Sequence, residues 1–335
     1  MLNKSRSYVT GGAAAVALLG VVMGATVASA QTKLNMATPY NCQEFISKLA
    51  SVVAEDVKAA TNGEVDITVH CAGSLFKNPE IVGAARTGQI DMGTQLMSNL
   101  GPENRLFEVD NMPFLTSSYE ESWKLWQATR PRLEELMQER GLRILYAVPW
   151  GPQNFFFNGK LENLDDVKGK KQRAYNASTS RLAALMDTVP VTVQASDMAQ
   201  AFQTGIINGT STSSNTGVAS NMHEFVTDMY MTNAWNPKQM AFIKESVFQK
   251  MTPEQQEALI FAGRKAEAIG WAQSIAIAQN APRILTERGM KVHKASGDLM
   301  GGLKKIGDTM LDEWLAKADD GAKTAIGSFK TAVAR

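Results

Sequence analysis

The sequence predicts an α/β fold made of two successive units of alternating strands and helices, spanned by one long helix. Three observations predict it. Between residues 31 and 150, apolar residues switch repeatedly between two-residue alternation and helical spacing. The same alternation starts again near residue 153. A helical pattern then runs from Pro253 to about Glu287, about 50 Å at 1.5 Å per residue, too long for one small domain.

Leu34 to Ala37 reads as a short strand stopped by Pro39. Phe45, Ile46, Leu49, Val52, Val53 and Val57 recur at helical spacing within Cys42 to Ala60, and Thr61-Asn62-Gly63 supplies a left-handed end signal. Val65, Ile67 and Val69 alternate with polar residues up to Cys71-Ala72-Gly73. Such a strand–helix–strand unit is right-handed, and its strands lie parallel. A helix over Asn78 to Thr87, a strand over Ile90 to Thr94, a helix over Tyr119 to Arg140 and a strand over Arg143 to Val148 extend a mostly parallel, doubly wound sheet. In the second unit, Asn154 to Asn158, Lys171 to Tyr175, Val191 to Val193 and Ile206 to Thr210 read as strands. Ser178 to Thr188 and Asp197 to Thr204 read as helices. Thr252-Pro253-Glu254-Gln255 opens the long helix with proline at its first position, and Pro282 should kink or end it. Met290 to His293 is a last strand, and Asp298 to Ala318 a further helix.

Residues 1–30 read as a cleaved secretory signal peptide. Lys4 and Arg6 give a basic start, Gly11 to Val27 is uncharged and apolar, and Ala28-Ser29-Ala30 is a small-residue cleavage pattern. The rival reading, a membrane anchor, suffers from Gly20 and Gly24 and from a run shorter than about 20 residues. Without the leader, Lys and Arg number 32 against 33 Asp and Glu, a balance with no electrostatic footprint for nucleic acid. The two cysteines, Cys42 and Cys71, each follow a strand end of the first parallel pair. In an exported chain that points to one disulfide, worth about 3–4 kcal/mol for a loop of about 30 residues. The alternative is two buried free thiols.

Catalytic patterns are missing. His70, His223 and His293 are far apart, and there is no Gly-x-Ser-x-Gly, no phosphate loop and no His-Glu-x-x-His. Asp165-Asp166 reads as solvated turn acids, and the 17 methionines are scattered through packing positions. Neither an enzyme, a metal site nor a cofactor is expected.

Seven segments together carry a resemblance. They are Thr61-Asn62-Gly63-Glu64-Val65, Ala72-Gly73-Ser74-Leu75-Phe76, Gly88-Gln89-Ile90-Asp91-Met92-Gly93, Met112-Pro113-Phe114-Leu115, Val167-Lys168-Gly169-Lys170-Lys171-Gln172-Arg173, Ala201-Phe202-Gln203-Thr204-Gly205-Ile206-Ile207-Asn208-Gly209 and Thr252-Pro253-Glu254-Gln255-Gln256. In this order they resemble the extracytoplasmic solute receptors of tripartite ATP-independent periplasmic (TRAP) transporters, of the DctP type. The resemblance implies a periplasmic binding protein-like fold: two α/β lobes around a cleft, with crossing strands and a spine helix. Lobe 1 would comprise residues 31–152 and about 243–285, and lobe 2 residues 153–242 and about 286–335. It implies a monomeric periplasmic receptor that binds a small organic acid and delivers it to membrane subunits. Other readings of the residues stay open: an exported enzyme acting on a small acid, or a receptor feeding an ABC importer or a sensor kinase.

The resemblance implies that Arg173 meets the ligand carboxylate and that Asn176 hydrogen-bonds the same ligand. A guanidinium suits a carboxylate through a two-pronged, charge-assisted contact. Two departures matter. Gln153 stands where many relatives carry a second arginine, and Thr210 to Asn215 is rich in hydroxyls where an acid is common. Thr212, Ser213 and Asn215 are therefore expected to offer neutral groups. A compact monocarboxylate is favoured over a sialic acid or a C4-dicarboxylate. Trp150, Phe155, Tyr40 and Trp235 are candidate walls, and Gln95, just after the third strand, sits where open α/β sheets bind ligands.

Overall fold

The computed structural model describes residues 31–333 and a few positions among the first eight; the proposed leader lies outside the described residues. In chain order the first unit contains β1 (Thr32–Ala37), α1 (Phe45–Ala60), β2 (Val65–His70), α2 (Ile81–Thr87), β3 (Met92–Leu96), α3 (Tyr119–Gln138) and β4 (Leu142–Pro149). The second runs through β5 (Gln153–Phe157), β6 (Lys171–Ala174), α4 (Ala177–Leu185), β7 (Val189–Thr192), α5 (Met198–Gln203), β8 (Gly209–Ser213), α6 (Ser214–Ala219) and β9 (Asp228–Met231). The chain then returns through β10 (Lys238–Lys244), α7 (Glu245–Phe248), α8 (Pro253–Glu287), β11 (Lys291–Lys294), α9 (Gly297–Lys317) and α10 (Asp320–Ala332).

These strands form two mixed sheets. One has the order β2-β1-β3-β10-β4, the other β11-β9-β5-β8-β6-β7. The expected parallel pairing of β1 and β2 is present, with Thr32 opposite Val65. The expectation of a mostly parallel sheet is corrected. β10 lies antiparallel between β3 and β4, and β5 runs antiparallel to both β8 and β9. The cause is the crossing of the chain between sheets. β4 leads directly into β5, and β9 returns as β10, so each sheet receives strands that enter from the other one.

The two crossings run side by side. Gln153 N donates to Trp235 O at 2.9 Å, Ala234 N to Gln153 O at 2.9 Å, and Trp150 N to Pro237 O at 2.8 Å. This backbone ladder joins the two lobes where they meet.

The long helix begins where the sequence places it. Thr252 Oγ1 accepts from Gln255 N at 3.3 Å and Gln255 Oε1 from Thr252 N at 3.2 Å, a reciprocal cap. Gly270 lets α8 close on β4: a Cβ there would stand 2.4 Å from Val148 Cγ1. Pro282 does not end the helix, which continues to Glu287. Its last turns are held by fully buried Ala281 and Leu285, the latter in a small core with Phe156 and Met229. Packing there outweighs the hydrogen bond that proline removes. Among the described residues no helix is long and apolar enough to cross a membrane.

Candidate functional site

Strand ends from both sheets meet at one cavity. It encloses about 430 Å³, part of it continuous with solvent. From the first sheet come Tyr40, beyond β1, and Leu96, at the end of β3; Trp150 and Pro237 come from the crossings. From the second come Gln153, Arg173 and Tyr175, Gln194 and Ala195 beyond β7, and Thr212 and Ser213 at the end of β8. Strand C-termini are where open α/β sheets bind ligands, because side chains and amide groups converge there without a covering helix.

Arg173 is the one charged residue among the described residues that line the cavity, and it is 4% exposed. Its place on short β6, one residue before the strand ends, aims it at the cleft while Lys171 stays exposed. Nε donates to Val193 O at 2.8 Å. The guanidinium carbon lies 5.1 Å from the Tyr175 ring centroid. No carboxylate among the described residues comes within ion-pairing distance of it. Burial lowers the pKa of Arg173, and the neighbouring Tyr175 and Tyr40 oppose that shift. A buried cation held without an acid is costly unless an anion completes the site.

The walls are neutral and aromatic. Tyr40 and Trp150 meet edge-on with centroids 4.8 Å apart, and Phe45 supports Trp150 at 5.2 Å. Tyr40 OH donates to Gln239 Oε1 at 3.2 Å and accepts from Asn78 Nδ2 at 2.9 Å. Burial raises the Tyr40 pKa despite Arg173, so the hydroxyl is protonated. Gln153 Nε2 donates to Gly151 O at 2.9 Å, which fixes the amide at the cavity floor. Ser213 Oγ caps α6 by accepting from Thr216 N at 3.1 Å and lies 3.0 Å from Thr216 Oγ1. Burial pushes the Tyr175 hydroxyl up to about 12, and that hydroxyl faces the Trp235 indole and the Asn111 amide behind the cavity.

Of the residues expected from the sequence, the structure gathers Arg173, Trp150, Gln153, Tyr40, Thr212 and Ser213 around the cavity. Five others stand outside its lining. Asn176 caps α4, its Oδ1 accepting from Thr179 N at 2.9 Å, and its Nδ2 donates to Ser98 Oγ at 2.8 Å. Gln95 lies within β3 and turns to α2, accepting from Val82 N at 2.8 Å; strand alternation gives the cavity Leu96 instead. Asn215 is buried against Gly151, where a Cβ would stand 2.6 Å from its Oδ1. Trp235 sits behind Tyr175, and Phe155 lies two residues deeper along β5 than Gln153, fully buried opposite Ser211 and Tyr230.

The sequence reading missed Asn78, Leu96, Tyr175, Gln194, Ala195, Thr216 and Pro237 as lining residues. Asn78 and Gln194 follow loops whose return path only the tertiary structure reveals. The cysteines do pair: Cys42 and Cys71 form a disulfide with Cα atoms 5.3 Å apart. Among the described residues no group of His, Cys, Asp and Glu could hold a metal ion.

Comparison with known proteins follows the same lines. The chain is 29% identical over 211 residues to the C4-dicarboxylate-binding periplasmic protein DctP of Rhodobacter capsulatus, covering 58% of this chain and 62% of that protein. It is similar to the crystal structure of DctP7 of Bordetella pertussis, an extracytoplasmic solute receptor binding pyroglutamic acid. The TM-score is 0.88 at 36% identity, over 89% of this chain and 99% of that one. A TRAP solute-binding protein specific for pyroglutamate, from an unidentified microbe of a marine metagenome, gives a TM-score of 0.88 at 32% identity over 90% and 99%. Residues 40–316 match the profile of the DctP family, and the chain thus belongs to the bacterial extracellular solute-binding proteins, family 7, a family of receptors and not of enzymes.

Proposed function

We propose that this chain is a periplasmic receptor that captures a compact monocarboxylate of the pyroglutamate type and delivers it, as a monomer, to TRAP-type membrane subunits. The observation that carries the reading is Arg173, a buried cation with no acidic neighbour in an otherwise neutral cavity. One guanidinium matches one carboxylate. A C4-dicarboxylate would leave its second charge among amides, hydroxyls and aromatic rings, a desolvation cost with no ion to offset it. A lactam ring with one carboxylate fits better. Its N–H and C=O suit neutral groups such as Gln153, Gln194, Asn78 and the β8 hydroxyls, and its methylenes suit Trp150 and Leu96. Two similar solved structures, at 36% and 32% identity, are of proteins that bind pyroglutamate. Micromolar capture needs about −8 kcal/mol, within reach of a charge-assisted pair plus a desolvated apolar wall.

The division into lobe 1 (residues 31–152 and about 243–285) and lobe 2 (153–242 and about 286–335) belongs to this proposal. Support comes from the side-by-side crossings at Trp150 to Gln153 and Trp235 to Pro237, where a hinge for closure would lie. The test is calorimetry of the leaderless protein with L-pyroglutamate and succinate, beside mass spectrometry of whatever co-purifies. Tight binding of pyroglutamate and none of succinate supports the reading. The reverse order of affinities refutes it.

A further inference from the structure

We propose that the Cys42–Cys71 disulfide is a positioning element of the ligand site, holding Tyr40 and Asn78 as one preset recognition pair. The inference rests on the receptor reading above. Cys42 is two residues beyond Tyr40, and Cys71 opens the loop that leads to Asn78. Both polar residues line the cavity, and Asn78 Nδ2 donates to Tyr40 OH at 2.9 Å. Asn78 Oδ1 also accepts from Leu96 N at 3.1 Å, which ties the pair to the end of β3.

The loop between Cys71 and Asn78 is tied down at a few points, of which this bond is the covalent one and the packing of Phe76 on the core another. It contains no strand or helix until Asn78, and Cys71 to Asn78 are exposed or half-buried. Ala72 lies at φ 59°, the left-handed region that an alanine adopts only under constraint, and Gly73 follows at φ 62°. The adjoining contacts are made by backbone: Ala72 N donates to Tyr40 O at 2.6 Å and Gly73 N to Thr38 O at 3.2 Å. The cross-link therefore clamps the Tyr40 segment and the strained turn against one another. The same loop carries Lys77, whose Nζ reaches across the cleft mouth to Ser196 Oγ at 2.9 Å and Asp197 Oδ1 at 3.4 Å. Without the bond, the Tyr40–Asn78 pair and the cross-cleft contact would lose a shared tie, and more of their ordering would fall to the moment when ligand binds. Ordering of that kind is a direct loss of affinity.

The experiment compares the oxidised protein with Cys42→Ser/Cys71→Ser, using L-pyroglutamate as the probe and calorimetry at a temperature where circular dichroism shows both folded. The double variant is expected to bind about tenfold more weakly. A purely structural disulfide is separated by adding Asn78→Ala to each background. The asparagine change should cost about tenfold with the disulfide present and little without it, because the cross-link acts through that residue. Equal affinity of the two proteins, or additive losses, would overturn the proposal. Should the double variant not fold, the unaltered protein is titrated before and after reduction of the disulfide under native conditions: an about tenfold loss on reduction supports the proposal, and unchanged affinity overturns it. Absence of binding to the unaltered protein would refute the receptor reading for this ligand and the present inference with it, whereas equal binding by both forms would refute the inference alone.

Discussion

Arg173 leans on the ring of Tyr175, 5.1 Å from its centroid, where an ion pair would ordinarily be found. Such a contact is worth about 0.5–2 kcal/mol, much less than the cost of burying a guanidinium without a counter-ion. The aromatic face steadies the group without neutralising it. The cavity therefore keeps an electrostatic demand for one anion, which the proposed function assigns to the ligand's carboxylate.

Replacing Gln153 by arginine should change the selectivity. The new cation would share the cavity with Arg173, and two like charges there disfavour a ligand carrying only one. Affinity for pyroglutamate is expected to fall about tenfold, while binding of succinate becomes measurable by calorimetry. An unchanged preference would show that Gln153 does not set ligand charge.

Glu44 makes stability depend on pH. Burial raises its carboxyl from 4.5 to about 7, with the Phe45 amide and Lys48 opposing the shift. A raised folded pKa means a contribution fully present below the unfolded value and lost as pH rises through the folded one. Melting temperature should thus fall between about pH 4.5 and pH 7 from this group, with about 3 kcal/mol at stake. Glu44→Gln should flatten that stretch of the profile. Parallel profiles for the two proteins would contradict the assignment.

Gly209 begins β8 directly opposite Phe157, and a Cβ there would stand 2.0 Å from the Phe157 ring. Gly209→Ala is expected to destabilise by about 1–3 kcal/mol through displacement of that buried ring. Urea denaturation measures it, and a change below about 0.5 kcal/mol would show that the ring moves freely.

Much of this architecture is written locally. The 35-residue helix α8 is announced by its cap, its proline and its pattern, and its observed start and end agree with the expected ones. The β1–α1–β2 unit and its disulfide follow from alternation and from the parallel rule. β10 was not legible, because Lys238 to Lys244 pairs only with β3 and β4, each far away in sequence. β8 was misplaced by three residues. The strand was expected over Ile206 to Thr210, yet it runs over Gly209–Ser213, with all five residues buried between β5 and β6. The site divides in the same way. Arg173 and Trp150 were legible from resemblance and position. Asn78 and Gln194 were not, since loop closure brings them in. Gln95 and Asn215 were each one residue from a lining neighbour, Leu96 and Thr216, and neither β3 alternation nor the turn of α6 could be phased without the partner strands.

The most direct test of the central claim is a calorimetric titration of Arg173→Gln with L-pyroglutamate beside the unaltered protein. The substitution keeps a long polar side chain and removes the charge, so the circular dichroism spectrum should not change while affinity falls about a hundredfold. Binding retained to within about threefold would place the anion elsewhere and contradict the account.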